Sequence, residues 1–151
     1  MAAVNTTHRL ASERGAELVE FALVLPLLLF IIMGLVDFGF LFQRFEVVNN
    51  AAREGARMAV LPGYATADVT ARVRNYVTTG GVPSTSTNPS VTVTAVTIPT
   101  GAGGPTLQGH QVQVTYSSAY LFIGPLAGFF GGTFTSATLT ATAVMRDELA
   151  P

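Results

Sequence analysis

The sequence predicts an α+β chain: a long N-terminal membrane and stalk helix packed on a small antiparallel β-sheet head, with a second short helix. Three observations predict it. Phe21 to Val36 (FALVLPLLLFIIMGLV) is free of charged and polar side chains, an apolar stripe at helical spacing follows it, and three threonine-rich segments then alternate at the spacing of strands. The composition agrees, because 49% of the 151 residues are hydrophobic and 11% are charged, where soluble domains carry roughly a quarter charged residues.

The apolar run is separated only by Asp37 from Phe38, Gly39, Phe40, Leu41 and Phe42. With Leu18 and Val19 it approaches the ~20 residues that a helix needs to cross ~30 Å of hydrocarbon. A cleaved secretory signal is the competing reading, but Val36, Asp37, Phe38, Gly39 and Phe40 offer no small-residue cleavage site. Basic residues do not set the orientation, since Arg9 and Arg14 precede the run and Arg44, Arg53 and Arg57 follow it.

Beyond the run, Phe45, Val48, Ala52, Gly55 or Ala56, and Ala59 recur every three to four residues, so the helix is expected to continue out of the membrane. Leu61, Pro62 and Gly63 end it. A helix from Ala16 to Val60 would be on the order of 65 Å long, about twice a bilayer core. Thr66 to Thr79 carries Val69, Val73, Tyr76 and Val77 on one side and reads as the second helix. After a connector rich in glycine, serine and threonine, strands are expected from Val91 to about Ile98, from His110 to Ser117 and from Ala137 to Met145. Gly101 to Gly104 reads as a hairpin connection, since it lacks the lysine and the strand-to-helix setting of a phosphate loop. Between the last two strands, Tyr120 to Phe134 (YLFIGPLAGFFGGTF) carries no charge and is too short and glycine-broken to span a membrane. Core packing, a subunit contact and a loop dipping into lipid are all open to it, and a partner or lipid contact through Tyr120, Phe122, Phe129 and Phe130 is the favoured expectation.

Several chemistries find no support. The net charge of −1 and the absence of lysine argue against a nucleic-acid partner. Without cysteine there is no thiol chemistry and no disulfide. His8 and His110 stand apart from any second ligand at metal spacing, and no serine has a histidine in a recognisable catalytic motif. No catalytic residue, metal or cofactor is therefore expected, and the chain is not expected to be an enzyme. Asn5 spells a glycosylation acceptor but is given no role.

The start of the apolar helix reads Arg14, Gly15, Ala16, Glu17, Leu18, Val19, Glu20, Phe21. A glycine closing a short hydrophilic leader, with a glutamate five residues later and then an aromatic, resembles the type IV prepilin junction. The string GAELVEFALVLPLLLFIIMGLVDFGFLF, followed by VVNNAAREGARMAV, further resembles TadE-like pseudopilins of the tight-adherence (Tad) pilus system. The resemblance covers about Arg14 to Val60 and departs from the more common tyrosine at Phe21. It implies cleavage between Gly15 and Ala16 by a membrane-embedded prepilin peptidase. It also implies a leader over 1–15, a transmembrane part over 16–43, an extracytoplasmic stalk over 44–62 and a pilin-like head over 63–151. The implied partners are other pilin or pseudopilin subunits, the peptidase, the inner-membrane assembly platform and the lipid bilayer. The implied location is the bacterial inner membrane, single-pass, with the N-terminus cytoplasmic before cleavage.

Glu20 also has a physical reading of its own. An ionised side chain at this depth needs a neutralising cation, and an α-amine freed at Ala16 is the nearest new one; in the resembling family the glutamate meets the N-terminus of a neighbouring subunit. Snorkelling to headgroups at a helix start is the alternative. Pro26 removes a helical hydrogen bond, and with Gly34 it predicts a kink. Asp37 is expected to pair with Arg44 or a partner subunit, or simply to lie exposed at the interface. A different function also fits, that of a permanently anchored single-span scaffold whose extracytoplasmic head binds an envelope partner.

Overall fold

The computed structural model describes residues 6–101 and 104–147; Asn5 and Glu148 lie outside the described residues. The element order is α1 (Thr6–Ala59), α2 (Thr66–Thr79), β1 (Ser90–Pro99), β2 (Thr106–Ala119), α3 (Ile123–Phe129) and β3 (Ser136–Arg146). This is the α+β plan the sequence predicts, with one further short helix inside the aromatic glycine-rich segment.

Helix α1 has 54 residues, about 80 Å at 1.5 Å per residue. It begins ten residues before Ala16, and the backbone has no break at Gly15. The expected weak point at Pro26 does not unwind the helix, which continues through it. Side chains from Leu18 to Ile32 are exposed, and among the described residues only the short helix α3 comes near this half. Among the described residues, one helix is long and apolar enough to cross a membrane.

The second half of α1 is different. Val48, Ala51, Ala52, Gly55 and Ala56 are buried, and α1 lies across β2 and β3 with α2 alongside. The buried line runs through Leu41, Val48, Ala52, Gly55 and Ala59. Phe45, expected on the stripe, is 39% exposed, because one residue past Arg44 turns it about 100° away from the sheet. Small residues are needed here for close approach. A Cβ on Gly55 would stand 2.6 Å from Val73 Cγ2 of α2 and 3.2 Å from Val112 Cγ1 of β2, so helix, helix and strand meet at this glycine.

Gly63, with φ of 91°, turns the chain from α1 toward α2. Helix α2 opens with the Ala65 N–H donating to Asp68 Oδ2 at 2.9 Å, and it buries Val69, Val73 and Val77. The 3.6 periodicity of these valines is why the sequence locates this helix so closely.

The sheet is antiparallel in the order β1-β2-β3. Val114 pairs with Val91 and Ala141, and Val112 pairs with Val93 and Ala143, so each rung places apolar residues on the helix-facing side. The opposite face carries Thr92, Thr94, Gln111, Gln113, Thr138, Thr140 and Thr142. From Asn75 to Met145 there is no Asp, Glu, Lys or Arg; the sheet is solvated by neutral side chains, and the head's charges are on the helices and the C-terminal end.

Candidate functional site

Three regions of α1 carry the residues singled out by sequence. At the N-terminal region, Gly15 is exposed with open space where a Cβ would project. Glu17, Glu20, Phe21 and Val24 line one exposed face of the helix, as their i, i+3, i+4, i+7 spacing requires. Glu20 and Phe21 therefore project from the helix toward whatever surrounds it.

Asp37 differs from its expected role. Its side chain is 3% exposed and makes no ion pair with Arg44 among the described residues. Instead the carboxylate accepts three consecutive backbone N–H groups from the segment entering α3. Leu121 donates to Oδ1 at 2.7 Å, Phe122 to Oδ1 at 3.2 Å and Oδ2 at 3.0 Å, and Ile123 to Oδ2 at 2.7 Å. These are amides that a helix start cannot satisfy internally. A carboxylate supplied by another helix takes the place of a local cap.

Arg44 acts beside it. Seven residues on, two helical turns along the same face, its Nη1 donates to Ser118 Oγ at 2.6 Å and to the Ala119 carbonyl at 2.9 Å. Ser118 is itself buried. Asp37 and Arg44 thus grip successive stretches of one chain corner: the end of β2 by its acceptors, the start of α3 by its donors. Sequence reasoning missed this because it sought the partner of a charge among other charges, whereas the partners are backbone groups some 80 residues away. The available signal was the isolation of Asp37 in an apolar helix together with a distant glycine-rich turn in need of acceptors.

The grip fixes where the aromatic segment lies. Leu126 of α3 lines a small apolar cleft with Pro26, Leu29, Phe30 and Met33 of α1, and Leu121, Phe122, Pro125 and Phe129 border the next one around Met33. Tyr120 stacks on Phe134 with ring centroids 5.0 Å apart, and Phe129 meets Phe130 edge-on at 5.3 Å. Phe129 and Phe130 remain 84% and 75% exposed, so they are not part of the head's core. Phe122 is 38% exposed, and Tyr120 is partly covered.

Other polar links hold the head together. Glu54 joins α1 to α2, accepting from Arg72 Nη2 at 2.8 Å and Nε at 3.1 Å while also pairing with Arg57. The two guanidiniums hold its carboxyl below the ordinary glutamate range. Asn88 bridges to β2 through both ends of its amide, at 2.9 and 3.0 Å from the Ser117 backbone. His110 Nδ1 lies 2.9 Å from Asp147 Oδ1, which ties the start of β2 to the residue after β3.

This arrangement defines a class: an α+β head carried on a helix whose other half is long, apolar, exposed and fit to cross a membrane. Residues 15–57 match the family model for TadE-like proteins, under a third of the chain, which bears out the resemblance read from the junction and the helix. The match begins at the glycine of the expected junction and passes through Pro26, Asp37 and the buried small residues before α1 ends. No curated protein and no solved structure matches the chain.

Proposed function

We propose that the chain is a structural minor pseudopilin of a Tad-type pilus, without a catalytic step of its own. A prepilin peptidase cuts between Gly15 and Ala16, and the freed helix assembles with other pilin or pseudopilin subunits on the inner-membrane platform. Glu20 sets the register by facing the α-amine of a neighbour, with Phe21 packing beside it. The observation that carries this reading is the division of α1: the apolar stretch from Leu18 to Ile32 is exposed, while the second half is buried against the head. A helix so divided needs lipid or other helices around its first half. The TadE-like match over 15–57 supports the pilus setting.

A second reading is favoured by a specific observation. Helix α3 lies against the span, which ties the head to the membrane-crossing half and fits a permanently anchored scaffold that never enters a filament. Mass spectrometry of the N-terminus, from membrane and sheared surface fractions of the native host, separates the two. A chain beginning at Ala16 in the surface fraction supports the pseudopilin. A chain retaining the leader, found only in membranes, supports the scaffold.

A further inference from the structure

We infer that Tyr120–Thr135 is a second membrane element, a hairpin seated in the leaflet on the head side of the span, with lipid as its occupant. The inference rests on the reading that the apolar half of α1 crosses a membrane, and its depth follows from the geometry. The ten residues below Asp37 fill about one leaflet at 1.5 Å per residue. Leu126 borders one cleft with Leu29, Phe30 and Met33 of that stretch, and with Pro26 just beyond it. If those α1 residues are in hydrocarbon, Leu126 is beside them in hydrocarbon too.

The segment has the chemistry for this place. It carries no charged side chain, and Leu121, Phe129, Phe130 and Phe134 are each more than half exposed, a patch that water does not favour. Many of its backbone N–H groups have protein partners, as hydrocarbon demands. The N–H groups of residues 121, 122 and 123 go to Asp37. Tyr120 N–H goes to the Thr135 carbonyl, closing the neck of the hairpin, and Phe130, Gly131 and Gly132 turn back onto the carbonyls of residues 126–128. The buried carboxylate therefore neutralises the polar entry of a hairpin that would otherwise carry three open amides into lipid. The head is then held to the membrane at two points, the span and the hairpin, and its orientation is fixed.

Because the chain has no cysteine, single labels can be placed cleanly. Full-length Phe129→Cys and Phe130→Cys variants, carrying nitroxides in phosphatidylcholine and phosphatidylglycerol vesicles, would be compared with Ile31→Cys on the span and Thr140→Cys on the outer sheet face. Phe129 and Phe130 are exposed, so the substitutions leave the core intact. Residues 129 and 130 are expected to resemble 31, accessible to oxygen and shielded from a water-soluble nickel reagent, while 140 shows the reverse. Nickel access at 129 and 130 with 31 still shielded overturns the hairpin alone. Nickel access at 31 as well overturns the span reading and the hairpin with it. Shielding of 129 and 130 from both reagents marks a contact with a second protein copy and overturns the lipid assignment.

Discussion

Replacing Asp37 by asparagine tests the grip with minimal change of shape. The carboxylate takes three amide donors at 2.7 to 3.2 Å, and hydrogen bonds to a charged group each contribute about 1.5–3 kcal/mol. Asparagine keeps one acceptor oxygen, so the donors of Leu121 and Phe122 can still be met, but its NH2 would face a backbone N–H where Oδ2 now accepts. At least one charge-assisted bond is lost and the rest become neutral. A net loss of about 2–4 kcal/mol in the local opening free energy follows. At 1.36 kcal/mol per factor of ten, that is roughly 30- to 1000-fold faster exchange of the amides at 121–123. Hydrogen exchange with mass spectrometry on the full chain in nanodiscs reads this directly, with the β2 amides of Val112 and Val114 as unchanged controls. Unaltered protection at 121–123 in Asp37→Asn would show that the carboxylate does not hold this corner, and the assignment of Asp37 would be withdrawn.

Gly55→Val should destabilise the head by about 1–3 kcal/mol through overpacking, since a Cβ there stands 2.6 Å from Val73 Cγ2; thermal unfolding in detergent should register a drop in Tm. Gly55→Ala should also lower Tm despite alanine's better helix propensity, and a rise would mean that α2 can yield at this point. Glu54, held below its ordinary pKa of 4.5 by Arg57 and Arg72, contributes stability that is present above that value and is lost as pH falls below it. Wild type and Glu54→Gln should therefore differ at pH 7, by less than about 1 kcal/mol because Arg57 and Arg72 are 68% and 47% exposed, and the difference should shrink as pH falls below 4.5. Glu20→Ala should remove the protein from the sheared surface fraction while leaving the head's Tm unchanged, and undiminished incorporation would sink its register role.

Much of the fold is legible because its signals are local and periodic. The valines at 69, 73 and 77 are buried on one face of α2, and the alternation of Val112, Val114 and Tyr116 places β2 and, through its register, both neighbours. The TadE-like resemblance over 15–57 is legible for a different reason, as an ordered set of residue types over a short stretch. What resisted reading depends on contacts distant in the chain. Phe45 is on the right stripe by spacing alone but is turned aside once the sheet takes the Arg44 side. The short helix α3 has no polar cap of its own, Phe122 standing where a serine or aspartate would be expected. Its cap comes from Asp37, and nothing in the local sequence of either segment announces the other.

Taken together, these contacts change how the residues of α1 divide their work. Asp37 and Arg44 would each be costly in an apolar helix, yet neither stands against bare lipid, because the head brings the Ser118 hydroxyl and the Ala119 carbonyl to the arginine and backbone donors to the aspartate. The small residues at 51, 52, 55 and 56 have a parallel role, opening the space in which α2 and β2 reach the helix. The TadE-like match thus includes the helical half of the head's core and one side of its grip on α3 as well as the candidate span. On the proposed function, a substitution of a buried residue in 37–56 would act first on how the head is seated, and only through that on assembly. One in 17–24 would act on whatever surrounds the helix, because these residues are exposed.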